Sequence, residues 1–337
     1  MCMSVVESPR KSVRSPYFDE LVVGQLFDTA PAVTLTDGLA AVHSSIVGNR
    51  YALSLDRASA QAICGGSIVN PALVWDISIG QSTPATQHVR ANLFYRGLHF
   101  HRSPVVGDTL RTTTVVEALR ENARRPDRPP TGLVVLRITT VDQHGRTVLD
   151  YRRCAMVLLS PLAPETDHRD DISSETDSSA HPGLFSSVAG WNVHELSEPG
   201  GPTTWEVGTE LDVLGGDVVS SAPELARMTG NVARVHHDSE AGGGERLVYG
   251  GHSIGIAFHH VCQAVPGIVA VAGWHGCDHV GPVREGDFLT STVTIESVDS
   301  SADGLRALGL RVVTSSRDAL DQGSSTVLVW RPIVIVR

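Results

Sequence analysis

The hydrophobic and polar positions of the first 160 residues predict two helices followed by a run of strands. Apolar residues at helical spacing indicate a short helix over Leu35 to Ile46 and a second helix over Pro71 to Gly80, which has a proline in its first turn. Runs rich in valine, threonine and isoleucine then predict four strands: Val89–Phe100, Thr109–Leu119, Leu133–Val141 and Val148–Leu159. A buried helix followed by an antiparallel meander is an α+β arrangement.

The second half of the chain repeats the first. Residues 48–56 (Gly-Asn-Arg-Tyr-Ala-Leu-Ser-Leu-Asp) align with residues 230–238 (Gly-Asn-Val-Ala-Arg-Val-His-His-Asp) at an offset of 230 − 48 = 182. Residues 107–110 (Gly-Asp-Thr-Leu) align with residues 286–289 (Gly-Asp-Phe-Leu) at an offset of 286 − 107 = 179, and a Thr/Val-rich strand follows each. Both halves end in a predicted hairpin, which in the second half pairs Leu305–Val313 with Val327–Val336. The shared order and the near-constant offset predict a duplicated domain.

Local composition divides the chain into four parts. Residues 1–15 contain three basic residues but no apolar segment of a secretory signal, which is typical of a disordered tail. Residues 16–160 form the first repeat and residues 201–337 the second. Residues 161–200, rich in serine, aspartate, glutamate, proline and glycine, indicate an acidic linker between them.

Overall composition narrows the class of protein. A chain of 337 residues with 41% hydrophobic and 19% charged residues is typical of a globular protein with two domains. The net charge of −10 argues against nucleic acid or an anionic membrane as a partner, and no apolar run approaches the ~20 residues of a membrane span. Five widely spaced cysteines without a CxxC motif indicate reduced thiols and a cytoplasmic location.

The polar stretch from Gly230 to Ser253 is the candidate active site. It supplies His236 as a general base, Asn231 beside it, and the paired glycines Gly250 and Gly251 at the start of an apolar helix. A base next to free backbone N–H groups at a helix N-terminus can stabilise the oxyanion of an enolate or acyl intermediate. The predicted remaining lining of this pocket is Tyr249, His252, Ser253 and His259, the last being seven residues after His252 and therefore on the same helix face.

The first repeat lacks these groups. Ser54 stands where the second repeat has His236, and Asn70-Pro71 stands near the position of the glycine pair. Because proline has no backbone N–H, the first repeat has lost both the base and an oxyanion donor. The chemistry is therefore predicted in the second repeat, with the first repeat in a structural role.

These residues resemble a known family. A Gly-Asn-x-x-x-x-His motif followed by a Tyr-Gly-Gly-His helix start, on a duplicated helix-and-meander unit, resembles the MaoC-like double hotdog proteins. The related single-domain R-specific enoyl-CoA hydratases carry Gly-Asp-x-Asn-Pro-x-His and a His-Gly at the same helix. Residues 229–236, 247–252 and 279–283, together with 107–110 and 119–122, are most similar to the mesaconyl-CoA hydratases, or β-methylmalyl-CoA dehydratases. The resemblance covers most of residues 17–160 and 205–337.

The resemblance implies a double hotdog fold, in which each repeat is an antiparallel sheet wrapped around a central helix. It implies R-type hydration of a 2-enoyl-CoA, or dehydration of a 3-hydroxyacyl-CoA, within fatty acid metabolism. His236 would be the acid/base, and the N–H of Gly251, with Gly250, would hold the oxyanion. The simple hydratases use an aspartate where this chain has Asn231, and an amide can orient water but cannot accept its proton.

Two other functions fit the same resemblance. An acyl-CoA thioesterase would bind the same substrate but release free CoA, and a non-catalytic acyl-CoA or lipid-binding protein would bind without turnover. In each case CoA belongs to the ligand and no separate cofactor is expected. The predicted assembly is a monomer with an internal pseudo-dimer, or a homodimer.

Each candidate residue also has a purely structural interpretation. His236 can be an ordinary histidine of a loop, Asn231 a cap or turn residue, and the glycine pair a relief of backbone crowding. Seven histidines invite a metal hypothesis, but no HExxH pattern is present and we expect no metal: His236, His237, His252, His259, His260, His275 and His279. The basic loop with Arg120, Arg124, Arg125 and Arg128 is either a solvated hairpin or a clamp for the phosphates of coenzyme A.

Overall fold

The structure is a computed structural model that describes residues 15–172, 183–195, 205–317 and 323–337. Of the predicted disordered tail, residues 1–14 lie outside the described residues. Parts of the predicted linker, residues 173–182 and 196–200, lie outside them as well.

Two long buried helices, one in each repeat, form the centre of the molecule. Asn70 caps the first of them by accepting a hydrogen bond from the N–H of Ala72 at 2.9 Å, and Pro71 occupies its first turn. Buried residues cover almost the whole surface of this helix, so it lies within the protein rather than on it. The helices are Asp37–Val47 (α1), Ala52–Leu55 (α2), Arg57–Cys64 (α3), Pro71–Ser82 (α4), Ala222–Met228 (α5) and Gly250–Ala264 (α6).

The strands form one continuous antiparallel sheet around these helices. They are Leu26–Phe27 (β1), Val33–Thr34 (β2), Val89–Phe100 (β3), Thr109–Glu121 (β4), Thr131–Val141 (β5), Thr147–Leu158 (β6), Glu210–Leu211 (β7), Asp217–Val218 (β8), Ile268–His279 (β9), Phe288–Ser300 (β10), Arg306–Arg317 (β11) and Ser324–Val336 (β12). Their order is β1-β4-β5-β6-β3-β9-β12-β11-β10-β7, with β2 beside β4 and β8 beside β10. Each repeat thus has a three-stranded meander, β4-β5-β6 or β10-β11-β12, and the two repeats join through β3 and β9. The predicted meander is corrected in one respect, since β3 lies beside β6 and not beside β4.

The two repeats are related by a pseudo-two-fold axis between β3 and β9. The offset is 179 residues for the starts of α4 and α6 (250 − 71), of β3 and β9 (268 − 89) and of β4 and β10 (288 − 109). In the β3–β9 ladder Phe94 pairs with Asp278 and His99 pairs with Gly273, and each pair becomes the other when 179 is added or subtracted. The predicted duplication is therefore present in the fold.

The core lies where α4 and α6 meet the sheet. Trp75 of α4 makes edge-to-face contacts with Trp274 of β9 at 5.0 Å between ring centroids and with Phe258 of α6 at 5.6 Å. Trp330 of β12 packs edge-on against Trp274 at 5.6 Å. Such ring pairs contribute about 0.5–1.5 kcal/mol beyond their buried area, and here they tie the two repeats into one core.

Most predicted elements match the observed ones within a few residues, but several were missed: the helices α2, α3 and α5, the long strand β9, and the two-residue strands β1, β2, β7 and β8. The short helices α2 and α3 follow each other around Asp56, whose carboxylate caps α3 through the N–H groups of Ala58 and Ser59. Strand β9 contains Gly273 and Gly276, residues that are unusual within strands. A side chain at Gly273 would collide with the backbone of Leu98 in β3, so this glycine permits the junction between the repeats.

The described parts of the predicted linker pack against the first repeat. Arg124 donates to the carbonyl oxygens of Ala163 and Pro164 at 2.9 and 2.7 Å, and the carboxylate of Asp170 accepts from the N–H of Leu119 at 2.8 Å.

Within the described ranges, the helices are too short or too polar to cross a lipid bilayer.

Candidate active site

A cavity of about 370 Å³ lies between the loop that precedes α6, the start of α6 and the first residues of β3. It therefore combines residues of both repeats. Its polar lining consists of Arg90, Asn92, His236, Ser253, His279 and Arg284, and Gly250 lies at its wall.

His236 has the properties of a general base. It ends the one-turn 3-10 helix Arg234–His236, and its Nδ1–H donates to the carbonyl oxygen of Leu247 at 2.8 Å. This bond leaves Nε2 as the nitrogen available to accept a proton. Burial lowers the pKa of His236 to about 4, although the bond to Leu247 opposes the shift, so the ring is neutral near pH 7.

The two glycines at the start of α6 have different surroundings. Gly250 lines the cavity, and a side chain there would lie 2.8 Å from Nε2 of His279. Gly251 packs against the side chain of Asp76 in α4 and the ring of Tyr249, which explains why it must be glycine. The first N–H groups of a helix have no intrahelical partner, so Gly250 is the better placed of the two to meet an oxyanion in the cavity.

Asn231 lies on the other side of the loop from this cavity. Its Oδ1 accepts from the N–H of Ala233 at 3.0 Å, as in an Asx turn, and its carbonyl oxygen accepts from Nε2–H of His237 at 2.7 Å. Asn231 borders a separate, more open cavity that His237 and Arg234 also line. The structure therefore does not bring Asn231 and His236 into one pocket, and the local contacts give Asn231 a turn-forming role.

Of the four residues predicted to line the pocket, one lines the cavity in the structure and three lie elsewhere. Ser253 lines the cavity, and Tyr249 lies behind it with its ring 5.7 Å from that of His236 and its hydroxyl donating to the carbonyl oxygen of Asp76 at 3.0 Å. His252 of α6 does not line the cavity and is completely buried. His259 packs on Gly48 and contacts Gln263 at 3.0 Å, at the far end of the helix.

Sequence reasoning missed several groups of the site. His279, at the end of β9, has its Nε2 buried without a partner among the described residues, and burial lowers its pKa to about 4. Asn92 and Arg90 come from β3 of the first repeat. A signal for His279 was available in the sequence, because the 179-residue offset aligns His279 with Phe100, so that this histidine is present in one repeat only, as His236 is.

The equivalent positions around the first repeat are filled by apolar side chains. Subtracting 179 from Gly250, Ser253 and His279 gives Pro71, Val74 and Phe100, and adding 179 to Arg90 and Asn92 gives Val269 and Val271. Val74, Phe100, Val269 and Val271 are all at most 2% exposed. The polar cavity is therefore built at one of the two pseudo-equivalent positions.

The arginines of the basic loop also separate. Arg125 and Arg128 line a second cavity of about 510 Å³, which shares Arg90 with the first cavity. The side chain of Arg124 pairs with the carboxylate of Glu121 at 2.8 Å and donates to carbonyl oxygens of the linker. Arg120 lies within β4, where its backbone forms an isolated antiparallel β-bridge with Arg169. Arg125 and Arg128 thus lie at a cavity that has Arg90 in common with the first one, whereas Arg124 has a structural position.

The histidine cluster is dispersed. His260 contacts Ser291 and Asp217 at 2.8 and 2.9 Å, on the opposite side of α6 from His236. In the part of the chain that is described, no group of three or more histidine, cysteine, aspartate or glutamate side chains is arranged to hold a metal ion.

Comparison with known proteins agrees with this architecture. No protein-family model matches the chain. A conserved protein of Mycobacterium tuberculosis, described as having a double hotdog fold, is 45% identical, with a TM-score of 0.88 over 95% of this chain and 98% of that one. A MaoC domain protein of Chloroflexus aurantiacus is 25% identical, with a TM-score of 0.82 over 97% of this chain and 98% of that one. The β-methylmalyl-CoA dehydratase of Chloroflexus aurantiacus is 29% identical over 315 residues, which are 89% of this chain and 88% of that protein.

The fold and the cavity define a double hotdog protein with a polar pocket beside the start of α6. Together with the similarity to these proteins, they show that the chain belongs to the MaoC-like double hotdog family. The double hotdog fold expected from the sequence is thereby confirmed.

Proposed function

We propose that this protein is a hydratase or dehydratase that adds or removes water at the double bond of a 2-enoyl-CoA or 3-hydroxyacyl-CoA thioester. The observation that carries the proposal is His236, a neutral imidazole with Nδ1–H bound to Leu247 and with its ring at the wall of the cavity. The relative named β-methylmalyl-CoA dehydratase supports the same class of reaction.

In this reaction Nε2 of His236 takes a proton from water while the water oxygen bonds to carbon 3 of the enoyl thioester. The π electrons of the double bond move toward the thioester oxygen, where the backbone N–H at Gly250 stabilises the negative charge. The protonated Nε2 of His236 then gives its proton to carbon 2, which completes hydration and restores the neutral imidazole, and dehydration runs through the same steps in reverse. Asn231, which the sequence suggested as the residue that orients water, has no part in this scheme. Its side-chain oxygen instead accepts the N–H of Ala233 within the turn.

The finer features of the substrate form part of the same proposal. Coenzyme A enters as part of the thioester and no other cofactor is required. Its phosphates would lie along the path from Arg90 to Arg125 and Arg128, because arginine pairs well with phosphate. We further propose R stereochemistry, a cytoplasmic location, and a monomer or homodimer in which the internal pair of repeats replaces the usual hotdog dimer.

Loss of the enoyl-thioester ultraviolet absorbance tests this proposal, with crotonyl-CoA and mesaconyl-CoA as substrates. We expect His236→Ala to abolish turnover in a folded protein, while the matched variant His237→Ala, which alters a neighbouring histidine outside the cavity, retains it. An active His236→Ala variant would contradict the assignment of the base. Release of free thiol would identify a thioesterase, and tight binding without turnover would identify a binding protein.

A further inference from the structure

The ring of His279 has a fixed position in the wall of the active-site cavity. His279 is the last residue of β9, and its backbone pairs with Leu328 of β12. Its ring stands edge-on to the ring of the buried Tyr95 in β3, at 5.9 Å between the ring centroids. Two neighbouring strands thus hold the residue in place. A side chain held in this way is preorganised to act on a bound ligand.

Packing alone does not explain the imidazole at this position. The equivalent residue of the first repeat is Phe100, which is only 2% exposed. A hydrocarbon ring therefore fits this place in the fold, whereas the imidazole of His279 has its Nε2 buried without a hydrogen-bond partner among the described residues. An unpartnered buried polar atom is costly, so the histidine requires a reason beyond packing.

The unpartnered nitrogen lies beside the backbone at the start of α6. Nε2 of His279 is 2.8 Å from the point that a Cβ atom of residue 250 would occupy, and the glycine leaves that point free. A ligand atom can therefore approach the backbone of Gly250 from the side on which Nε2 lies. The N–H of Gly250 has no intrahelical partner, because this residue begins α6. Two hydrogen-bond donors can thus converge on one acceptor atom of a ligand.

The ring of His279 is neutral near pH 7 and has one N–H. Burial, with a smaller contribution from the positive charge of Arg153, lowers the pKa of His279 to about 4. A neutral imidazole carries its proton on either nitrogen, and an acceptor beside Nε2 selects the tautomer with the proton on Nε2. Such an imidazole polarises a carbonyl group by donating a hydrogen bond to its oxygen. His236 differs, because its Nδ1–H is bound to Leu247 and its Nε2 is the acceptor.

We propose that His279 is a second catalytic residue, whose Nε2–H donates a hydrogen bond to the thioester oxygen beside the N–H of Gly250. As water adds to carbon 3, negative charge builds up on this oxygen, and both donors stabilise it. His279 keeps its own proton throughout, so the proton that His236 takes from water and gives to carbon 2 is the only one transferred. This inference rests on the proposed hydratase function and adds a residue to its site.

The test uses two variants that differ in the donor at this place. His279→Phe introduces the residue of the first repeat and removes the donor, whereas His279→Gln supplies an amide N–H₂ in place of the Nε2–H. We expect kcat for hydration of crotonyl-CoA to fall about a hundredfold in His279→Phe and to fall much less in His279→Gln. The control His275→Phe makes the same exchange at a residue of β9 that does not line the cavity, and it should retain the wild-type kcat.

Infrared spectroscopy of bound butyryl-CoA, isotope-labelled at the thioester carbonyl, gives a second readout. This saturated thioester has no double bond to hydrate, so the readout does not depend on turnover. A hydrogen bond to a carbonyl oxygen lowers the frequency of the C=O stretch. We expect the wild type and His279→Gln to lower this frequency, relative to free butyryl-CoA, by more than His279→Phe does. A purely structural role of His279 would lower kcat without changing the frequency.

An unchanged carbonyl frequency in His279→Phe would therefore overturn the proposal, whatever the effect on kcat. If His279→Phe does not fold, His279→Leu takes its place, since leucine also lacks the donor. A wild type that binds butyryl-CoA but hydrates neither crotonyl-CoA nor mesaconyl-CoA would refute the hydratase function, and the frequency would still decide whether His279 donates. A wild type that binds no CoA thioester would overturn both.

Discussion

Gly251 is the residue at which a single added methyl group should disturb the junction between the repeats. In Gly251→Ala the new Cβ would overlap the Oδ1 atom of Asp76 and lie 2.7 Å from Cζ of Tyr249. Neither neighbour can move freely. The tyrosine hydroxyl donates to the carbonyl oxygen of Asp76 at 3.0 Å, and the Asp76 carboxylate is bound to Nε2 of His43 at 2.9 Å within a fully buried site.

The expected cost follows from these contacts. Overpacking of a core typically costs about 1–3 kcal/mol, and weakening the buried hydrogen bond between Asp76 and His43 adds about 1.5–3 kcal/mol. Alanine returns up to about 1 kcal/mol through its higher helix propensity. We therefore expect Gly251→Ala to lower the free energy of unfolding by about 2–4 kcal/mol.

Urea unfolding followed by tryptophan fluorescence measures this change, since Trp75 lies in the same helix as Asp76. The matched control is Gly38→Ala in α1, where the nearest atom to the added Cβ is Oγ1 of Thr36 at 4.0 Å. The control should be neutral or slightly stabilising. If Gly251→Ala proves as stable as Gly38→Ala, the packing explanation of this glycine is wrong.

Three further predictions concern charge. Burial lowers the pKa of His252 to about 3, so between about pH 6.5 and pH 3 the unfolded chain takes up a proton on this ring that the folded chain does not. His252 therefore lowers the free energy of unfolding as the pH falls through this range, by about 1.4 kcal/mol per pH unit. The variant His252→Leu should flatten the dependence of Tm on pH. An unchanged slope of Tm against pH would argue against this role of His252. Because the pKa of His236 is about 4, kcat/KM for hydration should be level near neutral pH and decline only as the pH approaches 4, whereas a decline centred near 6.5 would refute the assigned base. Arg125→Ala should raise KM for a CoA thioester about tenfold without changing Tm. Arg124→Ala should lower Tm with little effect on KM, because Arg124 binds linker carbonyl groups. The reverse pattern would mean that Arg124 binds the thioester and Arg125 stabilises the fold.

The hydrophobic pattern predicted much of this fold because its main elements are long and have clear signals at their ends. Strand β3 begins at the predicted Val89 and ends at the predicted Phe100, and α4 begins at the predicted proline. The elements that escaped prediction depend on tertiary contacts. Gly273 weakens β9 as a local strand signal, yet the close backbone approach of Leu98 requires a glycine there.

For the candidate site too, the sequence predicted the position of some residues correctly and that of others wrongly. His236 and Gly250 were predicted from their spacing, and the structure brings both to one cavity. Asn231 was predicted beside them from the same spacing, but the turn directs its side chain to the N–H of Ala233. Spacing along a chain cannot distinguish the two sides of a loop, because that depends on which backbone groups the side chain satisfies.

By itself, the sequence determined the duplication, the α+β class and the loss of polar groups from one repeat, since these depend on residue identity and periodicity alone. Only the tertiary structure decided which residues of the first repeat complete the cavity of the second. Arg90 and Asn92 lie more than 140 residues before His236 in the chain, and no local pattern connects them. They meet it because β3 joins β9 across the pseudo-two-fold axis, which brings the first residues of β3 against the loop that carries His236.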